Sequence, residues 1–396
     1  MRGLRHPMLE ICWGVPRLRP VVLTATLAVA ACEIDRRVNL APSLDAGPDL
    51  RAQPRAPAAL WFRVHRVRDT AVAWPYTIGW GDGVTDRGTI TDRVAPARVS
   101  HVYAAAGRYA VRVSVTVLGG PTVSDTLTAF VEAAGTPQVF VGAGDIASCV
   151  TPYAAATAQL LDTIPGTVFA LGDNAYPFGS DQNYVTCYQP TWGRFRKRTH
   201  PVPGNHDYDT WRAAGYFGYF GVAAGDPGLG YYSYDLGDWH IIALNSNLEM
   251  DPASPQERWL RADLAAHPKP CTLAYWHHVR FSSGKTHGSQ AQTAPLWQAL
   301  YEAGADVVLS GHEHNYERFA PQTPEGRADS ARGIREFVVG TGGGGAYRLG
   351  SPIANSETHS TDYGVLKLTL EPRSYRWRFI PIAGARFSDS GSAACH

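Results

Sequence analysis

Short apolar runs alternate with helical segments through most of the chain, and this alternation limits the fold more than any other feature. The runs QVFVGAG, GTVFALG, WHIIALNS, CTLAYW and ADVVLSG lack polar alternation, so each is predicted to be a strand buried on both faces. The segment SPQERWLRADLAAH predicts a helix, with Ser254 as N-cap, Pro255 at the first position and Glu257 completing a capping box. Further helices are predicted after residues 151–152 and at TAPLWQALYEAGA. Residues 138–382 are therefore predicted to form a layered α/β domain.

Polar side chains follow four of these predicted strands and the run HPVPG, in each case at the point where the run ends. In chain order they are Asp145, then Asp173 and Tyr176, then Asn205 and His206, then His277 and His278, then His312 and His314. Any one of these groups alone is commonly a turn or a surface feature. Because ligand sites in α/β sheets form at the carboxyl ends of strands, their joint occurrence predicts one site. Carboxylates and imidazoles together suit Zn, Mn or Fe, and a pair of such ions suits phosphoryl transfer.

The series GDIA, GDNAY, GNHD, AYWH and GHEH resembles the calcineurin-like metallophosphoesterases, specifically the purple acid phosphatase branch. That branch's pattern is D-x-G, G-D-x-x-Y, G-N-H-D/E, V-x-x-H and G-H-x-H. The chain departs from it at Ala147 and Ala274, neither of which supplies a ligand. The resemblance implies an α-β-β-α sandwich that hydrolyses phosphate monoesters with a hydroxide activated by two metal ions.

Carried over residue by residue, the resemblance implies two metal sites that share one carboxylate. One site takes Asp145, Asp173, Tyr176 and His314, and the other takes Asp173, Asn205, His277 and His312. The implied pair is Fe(III) with a divalent ion, which is Fe, Zn or Mn. A tyrosine phenolate favours ferric iron over two divalent ions, so Tyr176 is the most discriminating of these residues.

Three further histidines are candidates for contact with the substrate. The resemblance implies that His206 binds phosphate and protonates the leaving oxygen. His287 is either a second substrate-contacting histidine or an ordinary loop residue, and His278 is either near the substrate or packed. The run GTGGGGAY lacks the context of a phosphate-binding loop and is interpreted as a flexible loop at the rim of the site.

Two other functions remain open beside the phosphomonoesterase. The same metal core would also serve a phosphodiesterase or a nucleotidase. From a different class, the chain could be an inactive surface-binding lipoprotein. The N-terminal β module at residues 58–133, described below, favours this alternative, and the complete ligand set opposes it. The net charge of +1, from 36 basic and 35 acidic residues, gives no sign of a nucleic-acid-binding patch.

The N-terminus reads as a signal peptide of the lipoprotein type over residues 1–31. Arginines precede the apolar run VVLTATLAVAA, which is too short to span a bilayer as a mature helix, and Cys32 follows it. Val-Ala-Ala-Cys resembles a bacterial lipobox, in which the cysteine is lipidated. We therefore expect an extracytoplasmic protein, held on a membrane through Cys32 or otherwise secreted. A Pro/Ala-rich linker is predicted over residues 32–57.

Residues 58–133 show the period of a half-buried antiparallel sheet. GRYAVRVSVTV alternates apolar and polar side chains, and IGWGDGVTDRG has hairpin turn chemistry in which Asp82 is a turn residue. These segments resemble the PKD family of Ig-like β-sandwiches, which implies a spacer or a binding module without chemistry of its own. Residues 383–396 are predicted to be a C-terminal tail.

Four cysteines remain outside the signal and the lipidation candidate, an even number in a chain expected to be exported. Four cysteines allow three pairings. The favoured pairing is Cys149 with Cys187, since each follows one of the first two site loops, and Cys271 with Cys395.

Overall fold

The computed structural model describes residues 41–65, 73–92, 95–117 and 119–396. The predicted signal peptide and Cys32 lie outside the described residues. In the part that is described, no helix has both the length and the apolar character needed to cross a bilayer.

The strands, in chain order, are β1 (Ser43–Asp45), β2 (Leu50–Ala52), β3 (Pro57–His65), β4 (Trp74–Gly79), β5 (Thr85–Ile90), β6 (Ala97–Val102), β7 (Gly107–Thr116), β8 (Thr122–Val131), β9 (Gln138–Ala143), β10 (Thr167–Leu171), β11 (Thr199–Val202), β12 (Tyr232–Leu236), β13 (Trp239–Ala243), β14 (Cys271–Tyr275), β15 (Val307–Ser310), β16 (Tyr316–Phe319), β17 (Arg335–Val339), β18 (Ser356–Ser360), β19 (Gly364–Glu371), β20 (Ser374–Pro381) and β21 (Asp389–Ala394). The helices are α1 (Tyr153–Thr163), α2 (Asp181–Asn183), α3 (Ala214–Phe220), α4 (Pro255–Ala266) and α5 (Ala294–Glu302). Shorter helical turns cover Tyr184–Tyr188, Trp192–Arg198, Asp207–Asp209, Trp211–Ala213, Gly221–Ala224 and Ala291–Thr293.

The first eight strands form two small sheets, in the orders β1-β3-β6 and β2-β8-β7-β4-β5. The alternation predicted for β7 is present, because Val111, Val113 and Val115 are fully buried between the sheets while the intervening side chains face outward. Asp82 has the predicted turn role: its Oδ1 accepts a hydrogen bond from the Val84 N–H at 3.0 Å. The PKD assignment of this all-β module stays a prediction.

The predicted linker is wrong for its second half. Residues 43–45 and 50–52 are strands β1 and β2, which pair with β3 and β8. Strands of three residues are too short to show a period of two, so the sequence pattern could not distinguish them from a tether. The same segment also contacts the C-terminal domain, since the Asp49 N–H donates to the Lys197 carbonyl oxygen at 2.6 Å and Asp45 Oδ2 accepts from the Val222 N–H at 2.9 Å.

Two larger sheets form the C-terminal domain, in the orders β11-β10-β9-β19-β20-β21 and β12-β13-β14-β15-β17-β16-β18. Within them β9, β10 and β11 are parallel, as are β13, β14, β15 and β17. Five of these parallel strands, β9, β10, β11, β14 and β15, carry the predicted site motifs at their ends. In both sheets the loops that carry these motifs therefore leave from the carboxyl ends of parallel strands.

Helices cover the outer faces of these two sheets. Ile241, Leu273 and Phe337 belong to the core between the sheets, whereas the next residue on each of their strands belongs to a second core beneath α4 and α5. Leu260 and Trp297 are fully buried contributions of these helices to that second core, and α1 packs against β19 on the other side. Strands buried on both faces within a layered α/β domain are confirmed.

Helix α4 begins as predicted, with one difference in its cap. Ser254 Oγ accepts from the Glu257 N–H at 3.3 Å, and Pro255 opens the helix. The Glu257 carboxylate does not return to the Ser254 N–H but accepts from Ala253 at 3.0 Å. The Ser254 N–H instead donates to the Asp251 carbonyl oxygen, so the reciprocal half of the capping box moves by one residue.

The predicted C-terminal tail is also wrong, because β21 is the edge strand of the first large sheet. Asp389 holds it: its carboxylate accepts from Tyr316 Oη at 2.6 Å, from Arg318 Nε at 2.7 Å and from Trp377 Nε1 at 3.1 Å. The strand sequence DSGSAA has no apolar alternation that could have predicted it.

Both disulfides have the predicted pairing, Cys149–Cys187 and Cys271–Cys395. The second links the start of β14 to the residue after β21, so it joins the two large sheets. The first links the loop after Asp145 to the helical turn that follows the Tyr176 loop. Each disulfide therefore connects segments that the hydrogen bonds of a single sheet do not.

Candidate metal centre

Three of the predicted ligands lie on strained backbone. Asp145 follows β9, Asp173 follows β10 and His312 follows β15, and their φ angles are +57°, +48° and +69°. The left-handed conformation is uncommon for residues other than glycine and costs of order 1–3 kcal/mol at each position. Such strain persists only where the surroundings impose it, and three of the eight described non-glycine residues with positive φ lie at these strand ends.

One group of side chains surrounds the phenol of Tyr176. Its Oη lies 3.0 Å from Asp145 Oδ1, 3.2 Å from Asp173 Oδ2 and 3.0 Å from His314 Nε2. His314 Nε2 is also 3.2 Å from Asp145 Oδ1. Two ligands at right angles on an ion with bonds of about 2.1 Å are about 3 Å apart, so these atoms have the spacing of one coordination sphere.

A second group surrounds His277. Its Nε2 lies 3.1 Å from Asn205 Oδ1, 3.2 Å from His312 Nδ1 and 3.4 Å from Asp173 Oδ1. Asp173 therefore contributes Oδ2 to the first group and Oδ1 to the second. The structure brings together all seven predicted ligands and puts the carboxylate of Asp173 between the two groups.

Hydrogen bonds to the backbone fix the orientation of two of these imidazoles. His277 Nδ1 lies 2.7 Å from the Leu171 carbonyl oxygen, and His314 Nδ1 contacts the Gly345 carbonyl oxygen. Because a carbonyl oxygen only accepts, each Nδ1 carries the hydrogen and each Nε2 of the neutral ring presents a lone pair. Both Nε2 atoms face carboxylate or amide oxygens, which present lone pairs too. A cation between them removes this conflict, and a backbone bond at the opposite nitrogen is usual for metal-binding histidines.

The charges around His277 also favour a positive charge at this position. Burial opposes protonation of His277, but the Asp173 carboxylate outweighs it and raises the pKa of His277 to about 9. Burial likewise opposes the charge on Asp173, whose pKa His277 and His206 nevertheless lower. Burial and the neighbouring His277 lower the pKa of His312, which leaves its lone pair free. A single proton faces only one of these acceptors at a time, whereas a metal ion satisfies several.

Tyr176 keeps its proton unless a strong cation displaces it. Burial, followed by the charges of Asp145 and Asp173, raises the pKa of Tyr176 well above its usual value. In the protein alone the phenol can donate to Asp145 Oδ1. A phenolate at this position therefore requires a cation beside its oxygen.

Comparison with known families agrees with this geometry. The family model of the calcineurin-like phosphoesterases matches residues 125–316, which include every predicted ligand. Residues 125–316 thus resemble a calcineurin-like phosphoesterase domain, and several relatives of the chain are named as purple acid phosphatases.

Purple acid phosphatase 21 of Arabidopsis thaliana is 27% identical over 269 residues, covering 60% of this chain and 59% of that protein. Purple acid phosphatase 15 of the same plant is 29% identical over 196 residues, covering 40% of this chain and 37% of that protein. The human acid phosphatase type 7 is 28% identical over 186 residues, with 39% and 41% covered. The chain thus spans less than two thirds of the length of each of these relatives.

A solved structure described as "GAP50 the anchor in the inner membrane complex of Plasmodium" has the same fold. The TM-score is 0.52 at 15% sequence identity, and the match covers 66% of this chain and 89% of that one. At this identity the likeness concerns the fold alone.

Two glycines of the phosphoesterase motifs leave room for the ligands. A Cβ on Gly204 would lie 2.1 Å from Asp173 Oδ1, and a Cβ on Gly172 would lie 2.6 Å from His277 Nδ1. Gly172 also has a φ of +84°. The glycines of GNHD and GDNAY are therefore fixed by the ligand side chains that pass over them.

His206 lies beside the metal centre and is half-buried. Its Nδ1 donates to the Pro177 carbonyl oxygen at 2.7 Å and lies 3.3 Å from Asp209 Oδ2. Its Nε2 is 3.9 Å from Asp173 Oδ2, so the nitrogen free of backbone contact is the one nearer the centre.

His278 and His287 both contact His312. The ring of His278 is 4.5 Å from that of His312, and its Nδ1 bonds Ser246 Oγ at 2.8 Å. Burial and the neighbouring His277 lower the pKa of His278 to about 3, so it is neutral and held in place. The ring of His287 stacks on His312 with centroids 3.9 Å apart, while the residue itself is exposed.

Sequence reasoning assigned no role to Asp207, which joins two of the phosphoesterase motifs. It is fully buried, and its carboxylate accepts from Gly204 N–H at 2.9 Å, from Asn174 Nδ2 at 3.0 Å and from Tyr184 Oη at 2.7 Å. Burial and the charge of Asp173 raise the pKa of Asp207 to about 6. Its place as the last letter of GNHD was the available signal.

The glycine-rich run is not a flexible rim loop, as the sequence suggested. Residues 340–344 are buried, and the Gly342 and Gly344 N–H groups donate to the Gly144 and Asp145 carbonyl oxygens at 2.9 and 2.7 Å. Tyr347 then stacks on His314 with ring centroids 3.8 Å apart. The glycines permit close packing against the first phosphoesterase motif.

Replacing Gly204 by alanine tests the fit of the ligand set. We expect Gly204→Ala to push Asp173 out of place, so the purified protein should hold less metal and should lose most of the thermal stabilisation that added metal gives. Elemental analysis and thermal melts with and without chelator measure both effects. Gly218→Ala is the matched control, because its Cβ would meet nothing closer than 3.7 Å. Normal metal content in Gly204→Ala would contradict the assignment of Asp173.

Proposed function

We propose that the chain is a dinuclear metal-dependent phosphoesterase that hydrolyses phosphate monoesters outside the cytoplasm. The observation that carries the proposal is the position of Asp173, with one carboxylate oxygen in each of two groups of ligand atoms. The match of residues 125–316 to the calcineurin-like phosphoesterase family and relatives named as purple or acid phosphatases support the same activity.

Two ions would be held by the predicted ligands: one by Asp145, Asp173, Tyr176 and His314, the other by Asp173, Asn205, His277 and His312. When bound, such ions neutralise phosphate oxygens and lower the pKa of water, so that it attacks phosphorus at neutral pH.

His206 is positioned to handle the leaving group. Because its Nδ1–H donates to the Pro177 carbonyl oxygen, the proton it can exchange is the one on Nε2. That atom lies 3.9 Å from Asp173 Oδ2, at the edge of both ligand groups. A protonated His206 would bind a phosphate oxygen and pass its proton to the departing alkoxide, which general acids require.

His287 and His278 would complete the phosphate site in different ways. His287 is exposed and lies over His312, so it can donate to a phosphate from the open side. His278 is neutral and bonded to Ser246, so it would orient neighbouring groups or donate through Nε2 without adding charge.

Asp173→Asn tests the activity directly. We expect turnover of p-nitrophenyl phosphate to fall by more than about 100-fold, because even groups that only support metal ligands contribute about 10–100-fold. Asp181→Asn, an exposed aspartate on α2, is the matched control and should retain wild-type rates. Full activity in Asp173→Asn would overturn the proposed centre.

Comparison of two esters tests the preference for monoesters. The wild-type protein should hydrolyse p-nitrophenyl phosphate faster than its bis ester at equal concentration. The reverse order would favour a phosphodiesterase on the same centre. No hydrolysis of either ester, by protein containing about two metal ions per chain, would favour an inactive surface protein.

Tyr176→Phe tests for iron in the centre. A phenolate on Fe(III) absorbs visible light, so we expect the purified protein to be coloured and Tyr176→Phe to lose the band while it keeps the fold. Absorption spectra and elemental analysis of both proteins measure this. An active wild-type protein without colour or iron would assign Tyr176 to packing and leave the rest of the ligand set unchanged.

The proposed location is the outer face of a membrane, with lipid on Cys32. The apolar run before Cys32 supports it, as do two disulfides in the described residues, because disulfides persist in oxidising compartments. Fractionation of cells that express the full chain should find the protein with membranes, and Cys32→Ser should release it or leave its precursor uncut. Equal membrane association of both proteins would contradict lipidation.

A further inference from the structure

Buried glutamates hold the backbone of the segment that carries His287. Glu336 accepts from the Arg280 and Phe281 N–H groups at 3.0 and 2.9 Å. Glu317 accepts from the Ser283 N–H at 2.8 Å. Glu313 accepts from the N–H groups of His287 and Gly288 at 2.6 and 2.7 Å. All three glutamates are fully buried, so buried carboxylates hold the backbone of residues 280–288 in place.

Glu313 stands apart from the other two because of its place in the chain. It lies between the predicted ligands His312 and His314, in the motif G-H-x-H that leaves its middle position free. The motif does not need a carboxylate there. The loop packs closely on it, since a Cβ on Gly284 would lie 2.2 Å from the Glu313 carboxyl carbon.

The bonds of Glu313 determine where the His287 ring lies. Both go to the backbone at His287 and Gly288, so they fix the residue whose ring stacks on His312 at 3.9 Å. The His287 residue is exposed, and besides its stacking on His312 its ring meets that of Tyr347 with centroids 5.5 Å apart. Glu313 therefore lies next to the predicted ligand His312 in the chain and bonds the backbone of His287, whose ring stacks on His312.

We propose that Glu313 is a positioning residue that holds His287 over the metal centre, where His287 contacts the phosphate of the substrate. This inference rests on the proposed function. It assigns Glu313 no contact with substrate, and its whole effect passes through His287.

A double-mutant cycle on p-nitrophenyl phosphate tests the coupling. We expect His287→Ala and Glu313→Ala each to lower kcat/KM by a similar factor, about 10- to 100-fold, while metal content stays at the wild-type level. The double variant should be no worse than either single variant, because both changes remove the same contact. Effects that multiply, or loss of metal in Glu313→Ala, would overturn the proposal.

Two further variants separate positioning from folding. Glu313→Gln keeps an oxygen for both N–H groups and places its NH₂ where Oε2 has no hydrogen-bond partner among the described residues, so it should restore most of kcat/KM. Glu317→Ala removes the same kind of bond from the Ser283 end of the segment, together with bonds from the Ser283 and Ser356 hydroxyls, and its effect should multiply with that of His287→Ala. Glu313→Gln as inactive as His287→Ala, with metal retained, would count against the proposal.

Binding of inorganic phosphate distinguishes failure of this inference from failure of the proposed function. If the wild-type protein hydrolyses no ester, calorimetric titration of the metal-loaded variants with phosphate replaces the rate assay. His287→Ala and Glu313→Ala should then weaken phosphate binding equally and without additivity. Unequal or additive losses would refute the positioning role even in an inactive protein.

Discussion

The crowding of hydrogen-bond acceptors around the Asp173 carboxylate is the constraint on which this structure depends. Asp173 faces His277 Nε2 with one oxygen and the Tyr176 phenol with the other, and backbone carbonyls hold the Nδ1 hydrogens of His277 and His314 on the far side. Such a cluster is costly without positive charge. Folding brings the cluster together because the two packed sheets fix the strand ends. The free energy that orders these groups therefore comes from packing of the core rather than from binding of ions.

Positive φ angles and glycines next to the ligand groups contribute to the same arrangement. Asp145, Asp173 and His312 have left-handed backbones, and Gly172 and Gly204 leave space that a methyl group would fill. These features place the ligands before any ion arrives. If metal ions bind as proposed, a site prepared in this way would lose little entropy on binding them, and a phosphate that then entered would meet groups already in position.

Most of the features that could be predicted from the sequence came from the residues at the strand ends. The layered α/β fold, the grouping of the seven predicted ligands and both disulfide pairings followed from motifs, from burial patterns and from the branch they resemble. The missed features have physical reasons: β1 and β2 are too short for periodicity, and β21 is polar and small. The carbonyl oxygens of Leu171 and Gly345 are the same in every sequence, so only coordinates could assign them to His277 and His314. The contacts of Glu313 could not be predicted from the sequence, because its partners are backbone N–H groups.

The Cys271–Cys395 disulfide has a practical consequence for producing the protein. It joins β14 in one sheet to the end of β21 in the other, and Asp389 on that strand bonds Tyr316 and Arg318 across the same junction. The cytoplasm of a common expression host keeps thiols reduced, so material made there would lack this link between the sheets. Secretion into an oxidising compartment, or refolding with a thiol–disulfide couple, is the route that preserves it.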